Sequence, residues 1–471
     1  MTNPHLCLSK DLPEETRYAT LSHCWGKLAT VMLTTQNIAS FSKQIPYESL
    51  CKTFQDVIAT VKRFGLKYVW IDSLCIIQDD DDDWSRESSL MVQVYGGSTL
   101  NIAATAGSDG NAGLFPPRNP LSIQKCYIEV FDDPVDQENG ALYEVSRTGI
   151  YGREVAGSPL GQRAWCLQET FLAPRTLHFG KELVWECRES ILSETCPTDM
   201  TQVQCGVASV ALKKMDIFAS EGLNTDILPQ FWDAIVESYT ASSLTKPADK
   251  LVALSGIARW THETLGGSYA CGLWEEFLEH QLLWCVSQPV ARPAVYRAPS
   301  WSWAAVDGPC SFERSLWPMP STIRVINVKV LSDRSNHYGQ VNGGVLRLSC
   351  TDLVRWPFSE EVDESVLDGA TFWPDGDPES LSYAELGKSC FCLNFYDLEL
   401  VHPNMLGIVL QATSNKGQFC RVGIFQARGS SAIAEFEDAR AITSCSADET
   451  MYEQLIGFDK KGRRQYTISI V

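Results

Sequence analysis

No stretch of this chain approaches the roughly eighteen consecutive apolar residues that a transmembrane helix needs, so no membrane partner is expected. Positive charge is in deficit. The 39 Lys and Arg face 58 Asp and Glu, the net charge is −19, and no basic cluster offsets it locally. Such a polyanion repels phosphate backbones, which excludes nonspecific nucleic-acid binding. The start, Met1-Thr2-Asn3-Pro4-His5, lacks the charged segment and apolar run of a signal peptide. No metal is expected either: the 7 His and 17 Cys follow no zinc spacing, and Cys390-Phe391-Cys392 is too tight for one. The acidic run Asp79–Asp83 lacks the alternating ligands of an EF-hand and reads as a solvated loop. Gly-x-Ser-x-Gly is missing, and with it the usual hydrolase elbow. Gly107-Ser-Asp-Gly110-Asn-Ala-Gly113 is glycine-rich but has neither dinucleotide spacing nor a Walker lysine, so it reads as a flexible loop or a lid. The odd, scattered cysteines fit a reduced, cytoplasmic protein whose thiols are small core residues.

Apolar side chains are plentiful. They make up 44% of the 471 residues, with 14 Trp among them, which suits a packed interior and aromatic-walled pockets. The first region alternates strand and helix signals. Strands are expected at Tyr18–Ser22, Tyr68–Ile71 and Thr99–Thr105, with helical stripes at Phe54, Val57, Val61 and at Trp84, Ser88, Met91, Tyr95 between them. Ala164–Leu172 reads as a helix, and Thr176–Phe179 and Leu183–Glu186 as a hairpin. Residues 107–161 read as an insertion with strands near Tyr127–Phe131 and Leu142–Val145. The fold class is therefore α/β, a largely parallel sheet flanked by helices. A helical region and a β-rich C-terminal unit follow, which divides the chain at 1–195, 196–310 and 311–471. Within the helical region, helices are expected at Phe231–Tyr239, Pro247–Arg259 and Leu273–Trp284. In a parallel sheet, ligands sit beyond the carboxyl ends of the strands. That rule gathers Ser22-His23-Cys24, Asp72-Ser73, Thr105 and the start of the Ala164–Leu172 helix at one edge.

Four segments, in order, resemble the heterokaryon-incompatibility (HET) family of fungi. They are Tyr18-Ala-Thr-Leu-Ser-His-Cys-Trp-Gly26; Tyr68-Val-Trp-Ile-Asp-Ser-Leu-Cys-Ile-Ile-Gln-Asp79, followed by Asp83-Trp84 and Met91-x-x-x-Tyr95; Arg163-Ala-Trp-Cys-Leu-Gln-Glu169 with Arg175; and Trp185-Glu-Cys187. The resemblance implies a role in nonself recognition and programmed cell death after incompatible cell fusion. It also implies a core similar to the Toll/interleukin-1 receptor (TIR) fold. Some TIR domains cleave NAD, using a glutamate in a Trp-Cys-x-x-Glu helix after the third strand. Trp165-Cys166-Leu167-Gln168-Glu169 has that pattern, although the 107–161 insertion precedes it here. By this resemblance NAD enters as a substrate, no cofactor is required, and self-association through the HET domain is the other expected partnership. Two further functions remain open: a non-catalytic signalling module, and a stand-alone enzyme acting on a small metabolite.

Glu169 is the leading catalytic candidate. Nicotinamide leaves as a neutral group from an already cationic nitrogen, so one carboxylate that stabilises the developing ribosyl cation suffices, without the acid that ordinary glycosides require. Trp165, one helical turn earlier, offers an aromatic wall. The structural alternative is an ion pair of Glu169 with Arg163 or Arg175. Glu87, in Asp83-Trp84-Ser85-Arg86-Glu87, is the second catalytic candidate, set against a place near the N-terminal dipole of an Asp-capped helix. Asp72 either contacts a substrate hydroxyl or caps the turn at Ser73. His23 and Cys24 could form a nucleophilic pair, with His23 as a hydrogen-bonded pocket wall the alternative. The expected substrate-binding set is Ser22, His23, Trp25, Asp72, Arg163 and Trp165.

Overall fold

A computed structural model describes residues 4–26, 31–124, 126–131, 140–145, 147–198, 200–201, 205, 214, 217, 227–313, 319–332, 336–358, 369–377, 383–398, 404–445, 449–459 and 462–471. The chain forms two compact units, Met1–Leu223 with Ser242–Leu244, and Asn224–Ala241 with Thr245–Val471.

The first unit is built on a six-stranded sheet in the order β2-β1-β3-β6-β7-β8. Its strands are β1 (Tyr18–Ser22), β2 (Tyr68–Trp70), β3 (Leu100–Ala103), β6 (Arg175–Phe179), β7 (Leu183–Cys187) and β8 (Ile191–Ser193). Strands β2, β1, β3 and β6 run parallel, whereas β7 and β8 fold back antiparallel. Three of the five pairings are thus parallel, and the sheet ends in an antiparallel hairpin because the short Gly180–Glu182 connection can only join antiparallel neighbours. Register places Tyr18 opposite Tyr68 and Ser22 opposite Ala103, so the carboxyl ends of the first three strands share one edge. The helix Lys52–Arg63 buries Phe54, Val57 and Val61 against Ala19, Leu21, Ile71 and Ile102. The helix Asp81–Gly96 buries Ser88, Met91 and Tyr95. The continuous apolar run Tyr68–Ile71 reads as a strand covered on both faces, but β2 lies at the sheet edge and is half-buried.

Two expectations fail locally. The acidic run is not a loop. Asp80 caps the helix, its side chain accepting the Asp82 and Asp83 amides, and Asp81–Asp83 form the first turn, where carboxylates oppose the positive helix end. The glycine-rich segment is stapled down instead of standing free. The Thr53 amide donates to the Gly110 carbonyl at 2.9 Å, the Gly113 amide to the Thr53 hydroxyl at 3.2 Å, and the Leu114 amide to Asp56 at 3.1 Å. The expected insertion strands do form, as a separate antiparallel hairpin of β4 (Cys126–Phe131) and β5 (Gly140–Val145).

The second unit combines the helices Leu228–Thr240 and Ser255–Leu265 with a large sheet that is mostly antiparallel. Its long strands include Arg324–Leu331, Gly343–Cys350, Asn404–Ala412, Gln418–Arg428 and Arg464–Ile470, where the sequence reads as strand, and Cys390–Leu398, where no strand is expected. The sequence also reads as a strand over Leu398–Val401, which lies largely outside the described residues. The helix expected over Leu273–Trp284 does not form. Cys271 and Gly272 adopt positive φ, and the chain makes a tight strand pair, Tyr269–Ala270 with Leu273–Trp274, before a single helical turn. Trp301 and Trp303 are fully buried, and the Trp303 indole donates to the Gly272 carbonyl at 2.7 Å. None of the described helices is long and apolar enough to cross a membrane.

Candidate active site

The shared edge of β1, β2 and β3 carries three short segments: His23–Gly26 after β1, Ile71–Ser73 after β2, and Ala104–Thr105 after β3. The helix Ala164–Leu172 comes to the same edge. Its first turn is pinned by Ser243, which takes the Ala164 amide at 3.0 Å and gives its own amide to Gln162 at 2.7 Å. Gly26 shapes the first segment. Its φ of +70° is left-handed, and a Cβ there would stand 2.4 Å from the Asp109 Cβ. Gly26→Ala should lower the melting temperature, since left-handed backbone alone costs about 1–2 kcal/mol without the clash. An unchanged melting curve would show that residue 26 leaves the left-handed conformation at no cost.

Asp72 is the hub of this edge. One carboxylate oxygen accepts the Ser73 amide at 2.7 Å and lies 3.8 Å from the His23 Nδ1; the other accepts the Trp25 indole N–H at 2.9 Å. Asp72 therefore holds the Ser73 amide of its own turn and the Trp25 indole, and faces the His23 ring. His23 is buried, packed edge-on against Phe54 with centroids 5.0 Å apart and stacked on Trp25 at 6.5 Å. Burial lowers its pKa, Asp72 raises it, Arg163 lowers it, and the net shift is downward, which leaves a neutral ring at pH 7.

Glu169 is 7% exposed. The Ser22 hydroxyl donates to the Asn101 side-chain oxygen at 3.2 Å and the Tyr95 hydroxyl to the Leu21 carbonyl at 3.3 Å, and both lie close enough to Glu169 to favour its ionised form. Neither Arg163 nor Arg175 pairs with it. The Arg163 guanidinium donates to the His23 carbonyl at 2.6 Å, and Arg175 is exposed at the start of β6. Burial and the Asp72 charge push the Glu169 carboxyl up to about 7, against the pull of Ser22, Arg163 and Tyr95. A carboxylate poised near neutrality, beside a second carboxylate at a strand edge, is the arrangement from which acid–base and charge-stabilising chemistry is built.

The remaining candidates separate. Ser22 joins the cluster, sharing Asn101 with Thr20. Trp165 is half-buried, its ring perpendicular to Trp84 at 6.3 Å. Glu87 sits in the second turn of its helix, beyond the reach of the N-terminal dipole, and contacts Arg86 at 3.3 Å. Cys24 is no activated nucleophile: burial holds its thiol above the ordinary range, as it does Cys166 and, at about 12, Cys75. Tyr95 was not singled out from the sequence. It falls on an apolar helical stripe, and the signal was only that a buried tyrosine hydroxyl needs a polar partner.

A second buried network lies on the other side of β3. Glu186 of β7 accepts the Tyr151 hydroxyl at 2.6 Å, faces His178 Nε2 at 3.3 Å and pairs with Lys214 at 3.4 Å. Lys214 also donates to the Thr170 and Ala173 carbonyls, at 3.1 and 3.0 Å, at the end of the Glu169 helix. Burial alone would raise the Glu186 pKa, but Lys214, His178 and Tyr151 bring it down to about 2. Among the described residues, no cluster of His, Cys, Asp and Glu has the geometry to hold a metal ion.

Residues 18–169 match the family model described as Heterokaryon incompatibility protein (HET), from the first residue of β1 to Glu169 itself. No curated protein and no solved structure matches the chain. The family match ties the chain to fungal heterokaryon incompatibility. With its motifs gathered at one sheet edge, this chain carries a HET domain in residues 18–169.

Proposed function

We propose that this HET domain hydrolyses NAD at the nicotinamide–ribose bond through Glu169, on a TIR-like framework, as an effector of nonself recognition and programmed cell death. The observation that carries the reading is the state of Glu169. It is buried at the carboxyl edge of parallel strands, beside Asp72, and makes no ion pair with an arginine. Burying a carboxylate that is not ion-paired is costly, and such a cost persists where a site uses it. The parallel order β2-β1-β3-β6 also fits a doubly wound framework with its ligand site at this edge.

The chemistry follows from the leaving group. The bond between ribose C1′ and the pyridinium nitrogen breaks, and its electron pair neutralises the ring, so no acid is required. Positive charge develops on the ribose, and ionised Glu169 stabilises it in a site with little water. Trp25 and Trp165 offer aromatic faces to a cationic ring.

The test is nicotinamide release by the purified chain incubated with NAD. The ionised carboxylate is the active form, and its pKa is about 7. The rate should therefore rise with pH through neutrality, falling about tenfold per pH unit on the acid side. No nicotinamide at high protein concentration, or after forced oligomerisation, sinks the proposal.

A further inference from the structure

One buried group at the edge has no role in the bond-breaking step. His23 Nε2 is shielded from solvent and has no hydrogen-bond partner among the described residues. A buried polar atom left unpaired costs about 1–3 kcal/mol, and such atoms in native folds call for a reason. The other ring nitrogen, Nδ1, faces Asp72 at 3.8 Å. A carboxylate on that side favours the tautomer with the proton on Nδ1, which leaves a lone pair on Nε2. The ring cannot swing away, because it is held between Phe54 and Trp25, and Trp25 is itself tied to Asp72. The result is an oriented, neutral imidazole with its accepting nitrogen unused.

We propose that His23 is the general base that takes the proton from the attacking water, with Asp72 as the positioning residue that fixes its tautomer. The assignment rests on the NAD-cleaving reading of the same site. Once nicotinamide has left, water oxygen bonds to ribose C1′ and its proton passes to Nε2. ADP-ribose is the product, and the proton returns to solvent. The charged groups acting on the ring are Asp72, from the turn after β2, and Arg163, which caps the Glu169 helix; Phe54, from the Lys52–Arg63 helix, is uncharged. Burial leads the shift and holds the imidazolium form below its ordinary range, so the free base persists at neutral pH.

Glu169 and His23 act at different stages, and this separates them experimentally. Glu169 governs formation of the ribosyl cation. That cation can be captured by water, giving hydrolysis, or by added labelled nicotinamide, giving exchange back into NAD. Only capture by water needs a base. The ratio of hydrolysis to exchange therefore cancels Glu169 and isolates His23.

The measurement follows both products with labelled nicotinamide as the probe. In the unaltered chain the ratio should hold through the ordinary histidine range near about 6.5 and fall at lower pH, because burial holds the ring's pKa down. His23→Gln should slow hydrolysis about 100-fold or more while exchange persists within about threefold. Asp72→Asn should lower the ratio less and move its acid limb to lower pH, because the ring loses the carboxylate that favours its cation. A ratio flat with pH in the unaltered chain, or equal loss of both reactions in a folded His23→Gln, overturns the assignment and leaves NAD cleavage standing. If the unaltered chain performs neither reaction, the NAD reading itself fails and this assignment falls with it.

Discussion

Glu169→Gln lowers nicotinamide release by about 100- to 1,000-fold and, at pH 8, leaves the protein more stable than the parent chain. The two effects have one cause. The Glu169 carboxyl titrates at about 7 in the fold against an ordinary 4.5, so ionisation is penalised by the folded state. Between those two values the folded chain holds a proton that the unfolded chain has released, and stability falls as pH rises through the window. At about 1.4 kcal/mol for each tenfold in proton affinity, the full penalty above pH 7 is on the order of 3 kcal/mol. Glutamine keeps the shape but carries no charge. The variant should match the parent at pH 5 and exceed it at pH 8 in urea unfolding. A structural glutamate held by an arginine predicts the opposite sign, since its replacement strands a buried guanidinium. A folded Glu169→Gln that is less stable at pH 8 would therefore return Glu169 to a structural role. A site that holds a charge at the expense of stability is the trade that functional residues commonly make.

The elements that carry this argument were largely legible in the sequence. Tyr18–Ser22 and Ala164–Leu172 occur with the bounds their patterns suggest. A strand followed by Trp25-Gly26 and a helix stopped before Pro174 are local signals, and local signals survive folding. Asp72 was found because the residue after a parallel strand is placed by topology alone. What was missed depends on partners far apart in the chain. The ring of Tyr95 reads as one more apolar position; only the fold brings its hydroxyl to Glu169, whose segment lies beyond the insertion. Leu273–Trp284 shows the converse error. Its large apolar residues satisfy a helical period, but they belong to an aromatic core, where Trp232, Tyr269 and Trp274 pack edge to face around a turn set by Gly272. Periodicity reports burial, and a fully buried turn meets that condition as well as a helix does.

The same limit hides the group that secures the Glu169 helix. Lys214→Met should destabilise the first unit by about 3–5 kcal/mol, the usual cost of breaking a buried ion pair from one side. Three acceptors lose their donor at once: the Glu186 carboxylate and the Thr170 and Ala173 carbonyls. The carbonyls end the Glu169 helix, where a cation opposes the negative end of the dipole. Their loss loosens the turn next to Glu169, so faster amide exchange should appear in Ala164–Leu172 before global unfolding. The pH dependence identifies the charge responsible. In the parent chain the Glu186 carboxyl sits at about 2 against an ordinary 4.5, so its contribution is complete above pH 4.5 and is lost as pH falls toward 2. Lys214→Met removes the main cause of that depression. The gap between variant and parent should be widest at pH 7 and close as Glu186 takes up a proton. Adding Glu186→Gln to Lys214→Met should recover part of the loss, because no charge is then left buried; a double-mutant cycle by urea unfolding measures the coupling. Strictly additive losses would show that Lys214 acts through the helix carbonyls alone. Coupling of the expected sign would place the stability of the Glu169 helix under a pair contributed from beyond the family match, with Glu186 on β7 and Lys214 further along the chain.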